Sequence, residues 1–285
     1  MNKSIAIIGA GLSGCNLYNK LSSTYDIKIF EKSRGTGGRC STKYINNHQI
    51  NHGTNKITPK SQEFIKFCED LTSKNILQKQ NNEYLPINAI NKICKTLIHP
   101  NDLITNTRIT RYAQENNKWT IYDENQKSHG SFDKLILTIP TPQILEMDIE
   151  LPHDIKLDLQ KVQYNAIGVI MLYSNKPFNI NTSDYKYSSY KKFENFYVYT
   201  LHLNESISNK LSSKEDLQKY LPNIDSTIKV LYHLWKYALI SSTINKDFFY
   251  EDNLGISSDY FGKSTNNSLE NSYMSSSALA KKIEQ

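Results

Sequence analysis

No stretch of the chain carries the roughly 20 consecutive apolar residues of a membrane span. Cysteine is scarce: Cys15, Cys40, Cys68 and Cys94 are the whole complement, and no two of them form a C-x-x-C pair. The histidines, His48, His52, His99, His129, His153, His202 and His233, are equally scattered, so metal-ligand spacing is missing and no metal is expected. Without a disulfide framework, reduced thiols and a cytoplasmic setting are the expectation. Clustered charge is also lacking, because 34 Lys and Arg are interleaved with 28 Asp and Glu for a net +6. A nucleic-acid surface needs a concentrated basic face, so neither nucleic acid nor membrane is expected as a partner. Glycine is thin outside the N-terminal region. Seven of the eleven, Gly9, Gly11, Gly14, Gly35, Gly37, Gly38 and Gly53, precede residue 54, and Gly130, Gly168, Gly255 and Gly262 compose no second nucleotide fingerprint. That argues against a reductase with a separate NAD(P)H domain.

What is present begins at "IAIIGAGLSGC", Ile5 to Cys15. Two readings compete there. Gly9, Gly11 and Gly14 are spaced as G-x-G-x-x-G, while Leu12-Ser13-Gly14-Cys15 resembles a lipoprotein processing site after a short apolar stretch. The following residues decide for the first. Ser4 to Ile8 reads as a buried strand, Ser13 to Ser22 as a helix, and Asp26 to Phe30 as a second strand ending at Glu31. In such a βαβ unit the first glycine permits a tight turn, the second lets backbone approach a pyrophosphate, and the third lets helix and strand pack closely. Glu31 lies about 20 residues on, where an acid accepts hydrogen bonds from a ribose.

"KSRGTGGRCST" follows, with Gly35, Gly37 and Gly38 flanked by Arg34 and Arg39. Backbone amides and a guanidinium in one short loop suit a second phosphate contact. Together, "IAIIGAGLSG", "EKSRGTGGRCST" and "INHGT" resemble the opening of the renalase-like branch of the flavin amine oxidase superfamily. The resemblance continues through "YLPINAINKICKTLI", a helix segment in that family, and through "NTRITRYAQENNKWTIYDENQKSHGSFDKLILTIPTPQ", "HLWKYAL", "LGISSDYF" and "LENSYMSSSALAKKI".

The resemblance implies an α/β chain: a Rossmann-type FAD-binding domain of the glutathione-reductase-like kind with an inserted α+β substrate domain. It implies non-covalent FAD, held by Gly9, Gly11, Leu12, Ser13 and Gly14 at the pyrophosphate, Glu31 and Lys32 at the ribose end, and Gly38 and Arg39 at the phosphate or flavin region. Gly53, a backbone contact from Ile109 to adenine, and Asp259 near the ribityl chain complete the implied set, with His52 and Trp235 lining the substrate pocket. It implies oxidation of a small-molecule substrate, such as an isomeric dihydronicotinamide dinucleotide, with oxygen as acceptor and hydrogen peroxide as product. An amine oxidase or desaturase, or a degenerate FAD-binding scaffold, are the alternatives. The sequence departs from the family at Asn51 for Asp, Thr54-Asn55 for Ala-Gln, Lys236 for Arg, and Ser272 and Ser276 for two glycines, which adds bulk where backbone would meet the ring. The segment between Gly53 and Tyr84 is also shorter than the family's.

Along the rest of the chain, Ser61 to Lys74 reads as an amphipathic helix, and Thr105 to Tyr112, Lys118 to Tyr122 and Phe132 to Thr138 as strands with a turn-rich "ENQKSHGS" between the last two. Ala166 to Tyr173 and Phe196 to Leu203 read as strands, separated by a Tyr-, Asn- and Ser-rich loop or ragged hairpin reaching to about Glu194. Ser212-x-x-Glu215 is a capping-box pattern opening a helix to Tyr220; Thr227 to Tyr237 reads as a strand and Leu269 to Ile283 as a terminal helix. The expected division is residues 1–57, 100–145 and 238–285 for the FAD-binding domain, and 58–99 and 146–237 for the substrate domain. No catalytic nucleophile and base stand out.

Overall fold

The computed structural model describes residues 2–45, 48–177, 180, 183–193, 195–222, 224 and 228–285. The chain divides into two compact units, one made of residues 1–41, 54–162 and 242–285, the other of residues 42–53 and 163–241.

The first unit is built on a six-stranded sheet. Its strand β1 (Ser4–Ile8) runs parallel to β2 (Asp26–Phe30) on one side and to Lys134–Leu137 on the other. Leu103–Ile104 extends the sheet beyond β2; Leu254–Ile256 and the antiparallel Phe249–Glu251 extend it beyond Lys134–Leu137. β1 and Lys134–Leu137 are apolar almost without interruption, as strands covered on both faces must be. Helix α1 (Leu12–Leu21) follows β1 and packs against the terminal helix Ser268–Glu284. Because consecutive parallel strands here lie on opposite sides of β1, the crevice at the carboxyl end of β1 is the topological switch point where such sheets bind ligands. A separate three-stranded antiparallel sheet, Ile109–Glu115, Lys118–Asp123 and Ser128–Phe132, belongs to the same unit.

The second unit is a four-stranded antiparallel sheet in the order Tyr185–Phe193, Phe196–Leu203, Tyr164–Ser174, Lys229–Ile240, with the hairpin Thr42–Ile45 and His48–Asn51. Alternation assigns the two faces. Ile167, Val169 and Met171 pack with Ile45 and Ile50 of the hairpin, while Ile170 and Leu172 pack with Leu201 and Leu217.

The expected boundaries differ from the two compact units at four places. Residues 58–99 belong to the first unit because the helix Gln62–Ser73 buries Phe64, Cys68 and Leu71 in the same core as Leu17, Leu21, Leu279 and Ile283. Residues 42–53 belong to the second, where Ile45 and Ile50 join the sheet's core. The boundary expected at 146 moves to 163 because the helix His153–Lys161 stays with the first unit, and the one expected at 238 moves to 242 because the strand Lys229–Ile240 runs on in the second.

Several elements also differ from the sequence reading. The strand expected from Thr105 begins at Ile109, because Asn106 takes a left-handed φ of 53° and breaks the extended run. "YLPINAINKICKTLI" yields the strand Glu83–Pro86 and only a short helix, Lys92–Lys95. The strand Ser128–Phe132 begins within the supposed turn segment, and of the loop or ragged hairpin expected up to about Glu194 the hairpin is what forms, Tyr185–Phe193 pairing antiparallel with Phe196–Leu203. Position 194 lies outside the described residues, as does Thr227, the expected start of the strand observed as Lys229–Ile240. Glu215 does not close a capping box: Asp216 Oδ2 accepts from the Ser212 and Ser213 amides, 3.1 Å each, and the segment Glu215–Tyr220 is a 3-10 helix.

Candidate functional site

The three glycines after β1 are required for three different reasons. Gly9 has φ +106°, a conformation that L side chains rarely adopt, and a Cβ there would meet Ile139 Cγ2 at 2.8 Å. At Gly14 a Cβ would lie 2.1 Å from the Gly9 carbonyl oxygen and 3.2 Å from Ile7 Cγ2, so the residue is glycine for close packing of α1 on β1. Gly11 is different: its φ is −77°, and within 4 Å a Cβ would find only the Gly38 Cα, at 4.0 Å. Nothing in the fold forbids a side chain at Gly11. Its bareness instead leaves the N-terminus of α1 approachable, with no side-chain cap over the helix's first amides.

Opposite Gly11 lies the second glycine loop. The Gly37 amide donates to the Ala10 carbonyl (2.9 Å), and Gly37 and Gly38 have φ of +131° and +52°. A Cβ on Gly38 would stand 3.2 Å from the Gly11 Cα, so the two loops touch backbone to backbone. Within this loop Thr36 is buried, and its Oγ1 has no hydrogen-bond partner among the described residues. Such a buried orphan is uncommon and points to a missing acceptor or donor.

Glu31 closes the other side. Its Oε2 accepts from the Ala10 amide (2.9 Å) and its Oε1 from the Ser33 amide (2.8 Å). A carboxylate offers about four acceptor sites, so lone pairs remain for two hydroxyls. The backbone of Glu31 is clamped by Ile104 and Thr107, whose carbonyl and amide lie at 2.9 and 3.0 Å, and the buried Ile109 starts its strand two residues later. Lys32 reaches Gln143 Oε1 at 3.2 Å, and partial desolvation lowers its ammonium pKa.

Arg39 and Asp259 form an ion pair, Nη1 to Oδ2 2.5 Å, in which the carboxylate is only 1 % exposed and the guanidinium 22 %. Ser258 Oγ donates to the other Asp259 oxygen at 3.1 Å. Ser13, at the start of α1, shares a hydroxyl contact of 2.9 Å with Ser257, and Ser275 of the terminal helix donates to Ser257 at 3.1 Å. The α1 N-terminus, the Arg39 loop and the 257–259 segment therefore meet in one place. The two serines that replace expected glycines turn their hydroxyls onto the protein. Ser272 Oγ donates to the Ser268 carbonyl (2.8 Å), and Ser276 Oγ donates to the Tyr273 carbonyl (2.9 Å) while accepting from Asn16 Nδ2 (2.8 Å).

His52, Gly53 and Trp235 fall in the second unit, apart from the other implied residues. Within it His52 and Trp235 come together: their rings stack at 5.4 Å with a 26° tilt, and Trp235 Nε1 donates to the His52 carbonyl at 3.0 Å. Two residues that the sequence reading did not assign to the pocket complete the cluster. His202 and His233 both stand opposite Val169, on neighbouring strands at one level of the sheet. His202 Nε2 donates to the His52 carbonyl (3.3 Å), which fixes its tautomer, and the His233 ring meets His52 edge-on at 4.9 Å. Burial, then the neighbouring His233, lowers the His52 pKa to about 3. Burial, then Lys43, lowers that of His233 to about 4, and burial lowers His202 as well. All three imidazoles are neutral near pH 7. Spacing could have found His233, which precedes Trp235 by two on one strand face; no local signal connects His202 to either.

Residues 7–71 match the sequence family described as an NAD(P)-binding Rossmann-like domain. The whole fold resembles a putrescine oxidase redesigned in its cofactor binding (TM-score 0.68, 10 % identity, 100 % of both chains covered). It also resembles a putative protoporphyrinogen oxidase from Exiguobacterium sp. 255-15 (0.65, 9 %, 100 % of both) and cyclohexylamine oxidase from Brevibacterium oxydans IH-35A (0.65, 8 %, 100 % of both). The protein thus shares its fold with these structures, and residues 7–71 form a region matching an NAD(P)-binding Rossmann-like domain. No helix among the described residues is long and apolar enough to cross a membrane.

Proposed function

We propose that this protein is a renalase-like oxidoreductase that binds FAD non-covalently and oxidises a small reduced molecule, with oxygen as the acceptor. The observation that carries the proposal is the division of labour among the glycines: Gly9 and Gly14 answer to the fold, whereas Gly11 has no internal reason to lack a side chain. A glycine kept bare over a helix N-terminus, facing Gly38 of a loop that also holds the orphaned Thr36 hydroxyl, suits a diphosphate.

On this reading the amides of Leu12, Ser13 and Gly38 and the Arg39 guanidinium hold the diphosphate, Glu31 and Lys32 stand at the ribose end, Ile109 offers backbone, and Asp259 orients Arg39 while facing the ribityl chain. Bound there, FAD would supply the redox chemistry, acceptance of hydride from the substrate and reduction of oxygen to hydrogen peroxide. The neutral His52, His233 and Trp235 would form a flat, uncharged wall suited to an aromatic substrate such as an isomeric dihydronicotinamide dinucleotide.

The amine oxidases among the fold neighbours favour a second reading, oxidation of an amine. One experiment separates them. The purified chain, loaded with FAD, is mixed anaerobically with isomeric dihydronicotinamides and, separately, with aliphatic amines, and flavin absorbance is followed. Bleaching by the dinucleotide alone is the expected result; bleaching by amines alone transfers the assignment to the second reading. A chain that takes up no FAD would leave a degenerate scaffold.

A further inference from the structure

Three buried serines from three elements meet at the start of α1: Ser13 in its first turn, Ser257 directly after the strand Leu254–Ile256, and Ser275 on the terminal helix. Ser275 Oγ donates to Ser257 Oγ at 3.1 Å, and Ser13 Oγ donates to the Ser257 carbonyl at 2.9 Å. Ser13 and Ser257 also share a 2.9 Å contact between hydroxyls, in which either atom could donate. A hydroxyl carries one proton, and that of Ser13 is already on the carbonyl, so Ser257 is the donor there. The protons therefore run one way, from Ser275 to Ser257 to Ser13 and back to the Ser257 backbone. None is left for a ligand. The Ser13 hydroxyl has no proton to offer a diphosphate, and the residue serves such a group through its amide alone.

Ser257 stands between the two arms of the anion site. On one side it holds the first turn of α1. On the other, with its own amide fixed to the Leu137 carbonyl at 3.1 Å, the chain reaches Asp259 two residues later. The Asp259 carboxylate takes Ser258 Oγ on one oxygen and Arg39 Nη1 on the other, and the Asp259 carbonyl takes Asn271 Nδ2 at 2.9 Å. The guanidinium is thus held at the end of a segment anchored at both of its outer residues. A long side chain that must be ordered on binding lowers affinity, whereas one already held does not. We propose that Ser257 is a positioning residue for the dinucleotide diphosphate: its hydroxyl ties α1 to residues 257–259 and so sets where Asp259 holds Arg39 relative to the helix N-terminus. Ser257 touches no ligand and acts through Asp259.

This inference rests on the dinucleotide reading, and the test separates the two. The first readout needs no cofactor. Arg39 is one of only four arginines, with Arg34, Arg108 and Arg111, so its side-chain 15N–1H signal can be followed in the full-length FAD-free protein and assigned with Arg39→Lys. Ser257→Ala, which deletes a single oxygen, is expected to shift and broaden that signal. The second readout is FAD titration of Ser257→Ala in the wild-type and Arg39→Gln backgrounds, with thermal unfolding in parallel. Ser257→Ala is expected to weaken FAD binding by about threefold to tenfold in the first background, the range of one modest hydrogen bond. In the second the loss is expected to shrink below about twofold, because the route through Arg39 is gone. A general loosening of the fold would instead weaken binding equally in both. If Ser257→Ala does not fold, Ser275→Ala, which removes only the first donor, takes its place with the same expectations. An unmoved Arg39 signal, or equal losses in both backgrounds, would overturn the inference while leaving FAD binding intact. A wild-type protein that takes up no FAD would overturn the cofactor reading and this inference with it.

Discussion

A glycine states its reason only when the space around its missing Cβ is known, and Gly11 and Gly14 make a controlled comparison. Gly14→Ala drives a Cβ to 2.1 Å from the Gly9 carbonyl, an overpacking that is expected to destabilise the fold by about 3 kcal/mol. Gly11→Ala meets no such contact, and its only structural cost is a poorer helix N-cap, about 0.5 kcal/mol. Its effect belongs to the ligand: FAD affinity is expected to fall at least about tenfold. Thermal unfolding and FAD titration of the two variants check this. Gly11→Ala with undiminished FAD affinity would remove the main support for the site. The motif spacing in the sequence predicted the structural roles of Gly9 and Gly14, because a G-x-G-x-x-G turn is local and its geometry travels with it.

At the scale of elements, polar side chains at termini and strand crossings do much of the joining. Glu270, in the first turn of the terminal helix and buried, accepts from the Lys60 and Ser61 amides (3.0 and 2.6 Å) and from Asn267 Nδ2 (3.0 Å), so it fixes the start of the helix Gln62–Ser73. Ser61 then caps that helix at the Phe64 amide. Losing an ionised acceptor to buried amides costs about 1.5 to 3 kcal/mol. Glu270→Ala is therefore expected to lower urea-unfolding stability by that amount, and a change below about 0.5 kcal/mol would contradict the clamp. The helix itself was legible in its apolar spacing and Ser61 cap; its partner, more than 200 residues away, was not. Strands were legible where alternation was clean, as in Phe196–Leu203, and hidden where Tyr, Ser and Lys mix without period, as in Tyr185–Phe193. The second unit's histidines add a pH dependence. Above pH ~6.5 the folded and unfolded chains both hold neutral imidazoles. Below it the unfolded chain takes up protons that the folded one refuses, so stability falls by up to about 1.4 kcal/mol per pH unit per histidine. The decline ends near pH 4 for His233 and near pH 3 for His52. Between pH 7 and 4.5, His52→Gln should therefore show a shallower loss of stability than wild type; parallel curves would rule out a buried neutral His52 as a source.

For the whole molecule, the decisive fact is that the chain passes between its two units four times, near residues 41, 53, 162 and 241. Composition and motif could place a dinucleotide region at the N-terminus, but not these crossings. They depend on which hydrophobic face each segment finds, as Ile45 and Ile50 show by leaving the first core for the second. Two cores need not unfold as one, so a single transition cannot be assumed. A ligand that binds the folded dinucleotide region stabilises it by about 2.7 kcal/mol at a hundredfold excess over its dissociation constant. Hydrogen exchange can locate where that energy appears. Saturating FAD is expected to slow exchange most in β1 and α1, by up to about 100-fold where exchange requires opening of that unit. Strands Phe196–Leu203 and Tyr185–Phe193 are expected to gain less, because their core is distinct from the one the ligand holds. Exchange unchanged at Ser4–Ile8 would place the cofactor elsewhere. Equal gains in both units would instead mean that they open as one cooperative body, and that the two cores are separate in packing but not in stability.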